Sequence, residues 1–125
     1  MLVLIKKNFI FKSLVVGLSF GLTLSAMADD ATLTALAESG NAQAQYELAK
    51  KYSSFTRESS AAFDWYQKAA NQDHPEAQTA IGFSYIGGGL VTEDMFKAVE
   101  WLTKAAEQGE ARAQSRLAYQ YLTGV

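Results

Sequence analysis

From residue 42 onward the apolar positions keep to a helical stripe, and the stripe returns three times. Ala44, Leu48, Ala49 and Tyr52 stand at offsets 0, 4, 5 and 8. Ala77, Ile81, Gly82 and Tyr85 repeat them at a shift of 33, and Ala113, Leu117, Ala118 and Tyr121 at a further shift of 36. At about 100° per residue these offsets gather on one side of a helix, which is the mark of an amphipathic α-helix and not of a strand. Each opening alanine is followed by a glutamine, at Gln45, Gln78 and Gln114. We call these predicted helices type A.

A second pattern, type B, alternates with the first. Ala62, Trp65, Tyr66, Ala69 and Ala70 match Ala98, Trp101, Leu102, Ala105 and Ala106 at a shift of 36, each with a lysine at the same place, Lys68 or Lys104. Leu33, Leu36 and Ala37 read as a shortened leading copy. Six helices are therefore predicted, B and A in alternation. The connectors agree. Gly40 and Gly109 follow predicted helix ends, where a left-handed cap favours glycine. Pro75 suits a first helical turn, where its missing N–H costs nothing. Thr92 ahead of Glu93 and Asp94 predicts a helix N-cap, with Phe55-Thr56-Arg57-Glu58 as its counterpart one unit earlier. Ser53 and Ser54 in one connector, against Ile86 to Leu90 in the other, account for the spacing of 33 against 36.

Helices of this length cannot bury their stripes singly, because each faces both its partner and the next pair. Stacking buries them. The expected fold is all-α, a right-handed α/α superhelical solenoid of stacked hairpins with about two and a half repeats, over residues 29–125. The small residue at offset 5 lets neighbouring helices approach, and the tyrosine and tryptophan rings fill the joints.

Residues 1–28 carry a different signal. Lys6, Lys7 and Lys12 precede an uncharged run from Ser13 to Ala28 that closes on Ala26-Met27-Ala28. A basic start, a short apolar core and small residues before a cut predict a secretory signal peptide cleaved after Ala28. The apolar centre, Leu14 to Leu24, is short of the roughly 20 residues of a membrane-spanning helix. The expected location is the periplasm or outside the cell, with no stable membrane span after cleavage.

Composition then narrows the function. Of 11 basic residues three leave with the leader, so the mature chain holds 8 basic against 13 acidic residues, a net charge of −5. That balance argues against nucleic acid, which asks for a basic face. The chain has no cysteine and one histidine, which exclude a thiol nucleophile, a disulfide framework and a multi-histidine metal centre. No catalytic residue, metal site or cofactor is expected. Gly87-Gly88-Gly89 lacks the Gly-Lys-Ser/Thr of a phosphate loop and reads as a turn. His74, beside Pro75, reads as a capping or loop residue, and Asp64, Glu100 and Glu107 as solvated charge.

The run Lys97-Ala98-Val99-Glu100-Trp101-Leu102-Thr103-Lys104-Ala105-Ala106-Glu107-Gln108-Gly109, with Ala113-Gln114 and Leu117 to Tyr121 after it, closely resembles the Sel-one-like repeat family, relatives of the tetratricopeptide repeat. The resemblance covers residues 33 to 125. It implies an α/α superhelix serving as a protein-interaction scaffold, with no shared catalytic residues. Leu90 stands where a glycine is usual, Leu102 replaces a common second aromatic, and the 53–60 connector is short; none of these threatens the fold.

Offsets 2 and 6 of the type A helices lie off the shared stripe, at about 200° and about 240° around the helix. They hold Tyr46, Thr79 and Ser115, then Lys50, Phe83 and Tyr119. By analogy with tetratricopeptide relatives this side lines a concave groove, where the rings anchor a protein or peptide and Lys50 and Arg112 supply charge. The competing expectation is that the rings only complete packing between repeats. The leading function is thus an exported module that binds a protein or peptide without catalysis. An immunity-type inhibitor of a secreted toxic effector is the alternative, and a cell-wall-active hydrolase a lesser one. The last type A helix, ending at Tyr121-Leu122-Thr123-Gly124-Val125, is a candidate for partner docking or end-to-end self-association.

Overall fold

The computed structural model describes residues 29–54, 59–87 and 89–124, and among them it forms six α-helices and no strand. In chain order these are α1 (Asp30–Glu38), α2 (Ala42–Ser54), α3 (Ser59–Ala70), α4 (Pro75–Gly87), α5 (Met95–Glu107) and α6 (Ala111–Thr123). Type B helices are α1, α3 and α5, and type A are α2, α4 and α6, in the predicted alternation. The expected leader, the Phe55–Glu58 start signal and Gly88 lie outside the described residues.

Local chemistry explains the boundaries. The chain leaves each type B helix through the same turn three times. The N–H groups of Asn41, His74 and Glu110 donate to the carbonyls of Leu36, Ala69 and Ala105 at 3.1, 3.3 and 3.1 Å. The turn needs one left-handed residue, supplied by Gly40 (φ 97°) and Gly109 (φ 88°) as predicted, and by Asp73 (φ 62°) between them. Aspartate is among the few side chains that tolerate this region. The residue after each turn caps the type A helix that follows: Asn41 Oδ1 accepts from Ala44 N–H at 2.9 Å, His74 Nδ1 from Ala77 N–H at 3.3 Å and Glu110 Oε2 from Ala113 N–H at 2.7 Å. Asparagine, histidine and glutamate thus do one job.

Two boundary expectations are corrected. The cap of α5 is Asp94, whose carboxylate accepts from Lys97 N–H at 3.1 Å, and not Thr92. Asp94 wins because its own backbone N–H is anchored to Tyr85 O at 3.0 Å, which brings the chain into the helix only there. Ser53 and Ser54 belong to the last turn of α2, where their hydroxyls donate back to Lys50 O and Lys51 O. Likewise Ile86 and Gly87 close α4.

The stretch Thr34–Val125 forms one compact unit. Within it α2 packs chiefly on α3 and α4 on α5, with α3 on α4 and α5 on α6 next. Alanines make the approach close: Ala44, Ala49, Ala62, Ala69, Ala77, Ala98, Ala105 and Ala113 are fully buried. One cluster gathers Ala49, Ala62, Tyr66, Ala69, Ala70, Ala77 and Ile81, with Tyr52, Trp65, Tyr85 and Trp101 packed against it. A second joins Leu102, Ala105 and Ala113, with Leu117 beside them. Both tryptophans therefore lie in joints, as stacking requires. Lys68 and Lys104 place their ammonium groups 4.0 and 4.4 Å from the ring centres of Trp65 and Trp101, which gives the repeated lysine its reason.

The offset-5 rule holds at both joints it can be tested on. Ala49 is fully buried, and a Cβ on Gly82 would meet Leu102 Cγ at 2.7 Å. No type B helix covers α6 among the described residues, and there Ala118 and Tyr121 are exposed.

The glutamine of each type A helix ties the layers together. Gln45, Gln78 and Gln114 donate from Nε2 to the carbonyls of Ala37, Ala70 and Ala106, at 3.0, 3.2 and 3.1 Å. Those carbonyls belong to the last turn of a helix, where no intrahelical partner exists. The Oε1 atoms of Gln45 and Gln78 in turn accept from Gln72 and Gln108 of the following turn, both at 2.8 Å. A buried amide is thereby satisfied at both ends.

Candidate functional site

What the core leaves over on the type A helices is the candidate surface. Offset 6 points outward in all three: Lys50, Phe83 and Tyr119 are exposed, the two rings at 38% and 55%. Offset 2 behaves differently, because the capping residue of the next type A helix folds over it. The His74 ring stacks on Tyr46 with centroids 4.8 Å apart, leaving Tyr46 half-buried. Glu110 reaches Thr79, whose hydroxyl donates to Oε2 at 2.8 Å. Thr79 is fully buried and presents nothing to a partner, which removes it from the expected binding set. Ser115, with no such residue above it among the described residues, is exposed. Offsets 2 and 6 are neighbours around the helix axis; the capping side chains, which arrive from a later segment, separate them.

Six of the seven expected residues remain at least partly accessible. Phe83, Arg112, Ser115 and Tyr119 converge, with Ala111 and Arg116, around a shallow open cavity of about 470 Å³ between α4 and α6. Tyr46 and Lys50 stand on α2 outside its lining, the Tyr46 hydroxyl within reach of Arg112 at its edge, and the Lys50 ammonium sits 5.2 Å from the Tyr46 ring centre and 3.0 Å from Glu47 Oε2. That carboxylate's hydrogen bond holds the Lys50 ammonium above its ordinary range. Arg116 was not among the expected residues. It stands at offset 3, where the other repeats have Glu47 and Ala80, one turn after Arg112. That i, i+4 spacing of two arginines was the available signal.

The charges on this face are unequally answered. Arg112 Nε donates to Glu110 Oε1 at 3.1 Å, and that bond leads the effects that raise the guanidinium further. Burial alone would push the Glu110 carboxyl up, but hydrogen bonds from Ala113 N–H, the Thr79 hydroxyl and Arg112 outweigh it and hold the group below its ordinary value. Arg116 has no carboxylate partner among the described residues. Its guanidinium lies 5.3 Å from the Tyr119 ring centre, and its Nε is buried without a hydrogen-bond partner.

His74 is a cap and a packing ring. Its Nδ1 accepts from Ala77 N–H, so the neutral ring carries its proton on Nε2 and donates to Gln43 Oε1 at 2.9 Å. Burial keeps it below the ordinary histidine range despite Glu76 and Glu47 nearby. Asp64, Glu100 and Glu107 are exposed, in keeping with solvated charge. Among the described residues no group of three or more acidic or histidine side chains is placed to hold a metal, and no helix is long and apolar enough to cross a membrane.

A surface of rings and charges on stacked hairpins defines an α-solenoid of the interaction-scaffold class. The Sel1 repeat family model matches residues 42–74, 75–110 and 111–125, which are α2 with α3, α4 with α5, and α6. The chain belongs to the Sel1 repeat family, whose members generally serve as protein–protein interaction modules. Among solved structures it is similar to a Sel1 repeat protein from Oxalobacter formigenes (34% identity, TM-score 0.66), over 69% of this chain and 37% of that one. It is also similar to c5321, described as a protective antigen present in uropathogenic Escherichia coli strains and displaying an SLR fold (36% identity, TM-score 0.72), over 78% of this chain and 21% of that one. The chain thus spans well under half the length of either. No curated protein matches it.

Proposed function

We propose that this protein is an exported interaction module that binds a protein or peptide on the outer face of its type A helices and carries out no chemistry on it. The observation behind this reading is the cavity between α4 and α6, where two aromatic rings that the core does not need flank two arginines. Aromatic and arginine side chains are the types that dominate binding energy at protein interfaces. Export rests on the leader at 1–28.

The test is affinity capture from a periplasmic extract, with the mature chain and a Phe83→Ala, Tyr119→Ala double variant as parallel baits. Both rings are exposed, so the variant keeps the fold, which a circular-dichroism melt verifies. A partner retained by the native bait and lost from the variant supports the reading. Identical capture by both baits refutes it.

A further inference from the structure

Deepening that reading, and resting on it, we propose that the groove between α4 and α6 takes an acidic peptide segment, seating an apolar side chain between Phe83 and Tyr119 and a carboxylate on Arg116. Charge selects the occupant. Arg112 and Glu110 answer each other at 3.1 Å, and Glu110 is further engaged by Thr79 and by the start of α6. Among the described residues Arg116 is left as the unanswered cation of the cavity, with a buried N–H that nothing accepts.

A guanidinium is a planar donor array suited to a carboxylate. Lying on the Tyr119 ring, it is held in place before a ligand arrives, so little side-chain freedom is lost on binding. A neutral segment leaves the Arg116 donors unpaired under a covering chain, and a basic one is repelled. The mature chain as a whole is acidic, so a basic and aromatic lining runs against its average and marks this spot. The cavity is shallow and open, without a closed end to receive a chain terminus. The occupant is therefore an internal stretch bearing Asp or Glu next to an apolar residue.

Fluorescence anisotropy with synthetic peptides tests this. The probe is a short labelled peptide, acetylated and amidated at its ends, alternating Glu with Leu and Phe; its comparators are the same peptide with every Glu replaced by Gln, and one with neutral side chains and a free C-terminal carboxylate. The capped acidic peptide binds, the Gln peptide binds about tenfold more weakly or worse, Arg116→Gln loses a similar factor, and Arg116→Lys recovers part of it. Added salt weakens the acidic peptide alone.

Equal binding of the Glu and Gln peptides, unchanged affinity in Arg116→Gln, or no binding of the acidic peptide overturns the proposal. Binding of the free-terminus peptide in preference to the capped one overturns it in favour of a terminal carboxylate. The Phe83→Ala, Tyr119→Ala variant separates the two levels. If the native chain binds Glu and Gln peptides equally and the variant loses both, the groove stands and the acidic preference falls. If the variant binds the acidic peptide as the native chain does, the groove reading itself falls.

Discussion

Gly82 shows how a single missing carbon sets the distance between two layers. An added Cβ would sit 2.7 Å from Leu102 Cγ, 2.9 Å from Leu102 Cδ2 and 3.3 Å from the backbone oxygen of Ala98. Leu102 is fully buried and has nowhere to swing. Alanine in a helix gains about 1 kcal/mol over glycine, whereas overpacking a filled core costs about 1–3 kcal/mol. The overlap wins: Gly82→Ala lowers stability, read as an earlier midpoint in urea, by about 1 kcal/mol. A later midpoint would show that the α4–α5 joint is looser than its geometry. His74 gives a pH dependence. Its folded form resists protonation because burial outweighs the pull of Glu76 and Glu47, so the unfolded chain takes up the proton first as pH falls. Its contribution is complete above the ordinary histidine value of about 6.5 and is lost as pH drops below it. Glu110, also depressed, adds a further loss only in the carboxylate range, below about 4.5. The melting temperature therefore declines between about pH 7 and about pH 5, and His74→Asn, which keeps the cap as Asn41 does, flattens that decline. The sequence marked both residues, Gly82 by its small size at offset 5 and His74 by its place before Pro75. The burial that gives each its effect comes from other helices, α5 over Gly82 and α2 beside His74.

Helices here are joined less by hydrophobic bulk than by fit and by amides. The type A and type B faces meet through alanines, so the space saved must be matched by hydrogen bonds that end each helix well. Gln78 is the clearest case: fully buried, it answers the last carbonyl of α3 and receives Gln108 from the turn after α5. Replacing Gln78 with leucine removes two tertiary hydrogen bonds, though Ala70 O keeps Asp73 N–H and the exposed Gln108 amide turns to water, a loss of about 1–2 kcal/mol. Gln114→Leu, at an exposed site, costs less than about 1 kcal/mol. Denaturant melts of the two variants read the contrast, and equal losses would mean that the ladder does not bind the layers. The Ala-Gln pair was visible as the most regular element of the repeat, yet its role was not. The carbonyl it answers belongs to the helix before it, and the amide it receives comes from beyond the helix after it.

Stacked repeats divide labour by position. Each hairpin commits one face to the previous layer and one to the next, and the outer side of α2, α4 and α6 is left free to vary, as Lys50, Phe83 and Tyr119 do. The family assignment and the all-α fold follow from recurrence that any one repeat would not have carried. Export, as proposed, rests on residues 1–28 alone, and it predicts that the chain recovered from a periplasmic fraction begins at Asp29, a result intact-mass measurement decides; recovery of Met1 in a membrane fraction would replace the leader with an anchor.

Periodicity, caps and recurrence are local properties, settled by residues within a few positions of one another, and so the six helices, their order and the small residues at the joints were legible along the chain. Which outward-facing positions stay open was not. Tyr46 and Thr79 are covered by His74 and Glu110 through contacts that exist only after hairpins stack, and the Arg116 Nε is buried without a partner. A helical wheel records direction from one axis, while accessibility and charge balance depend on what the next layer lays across it.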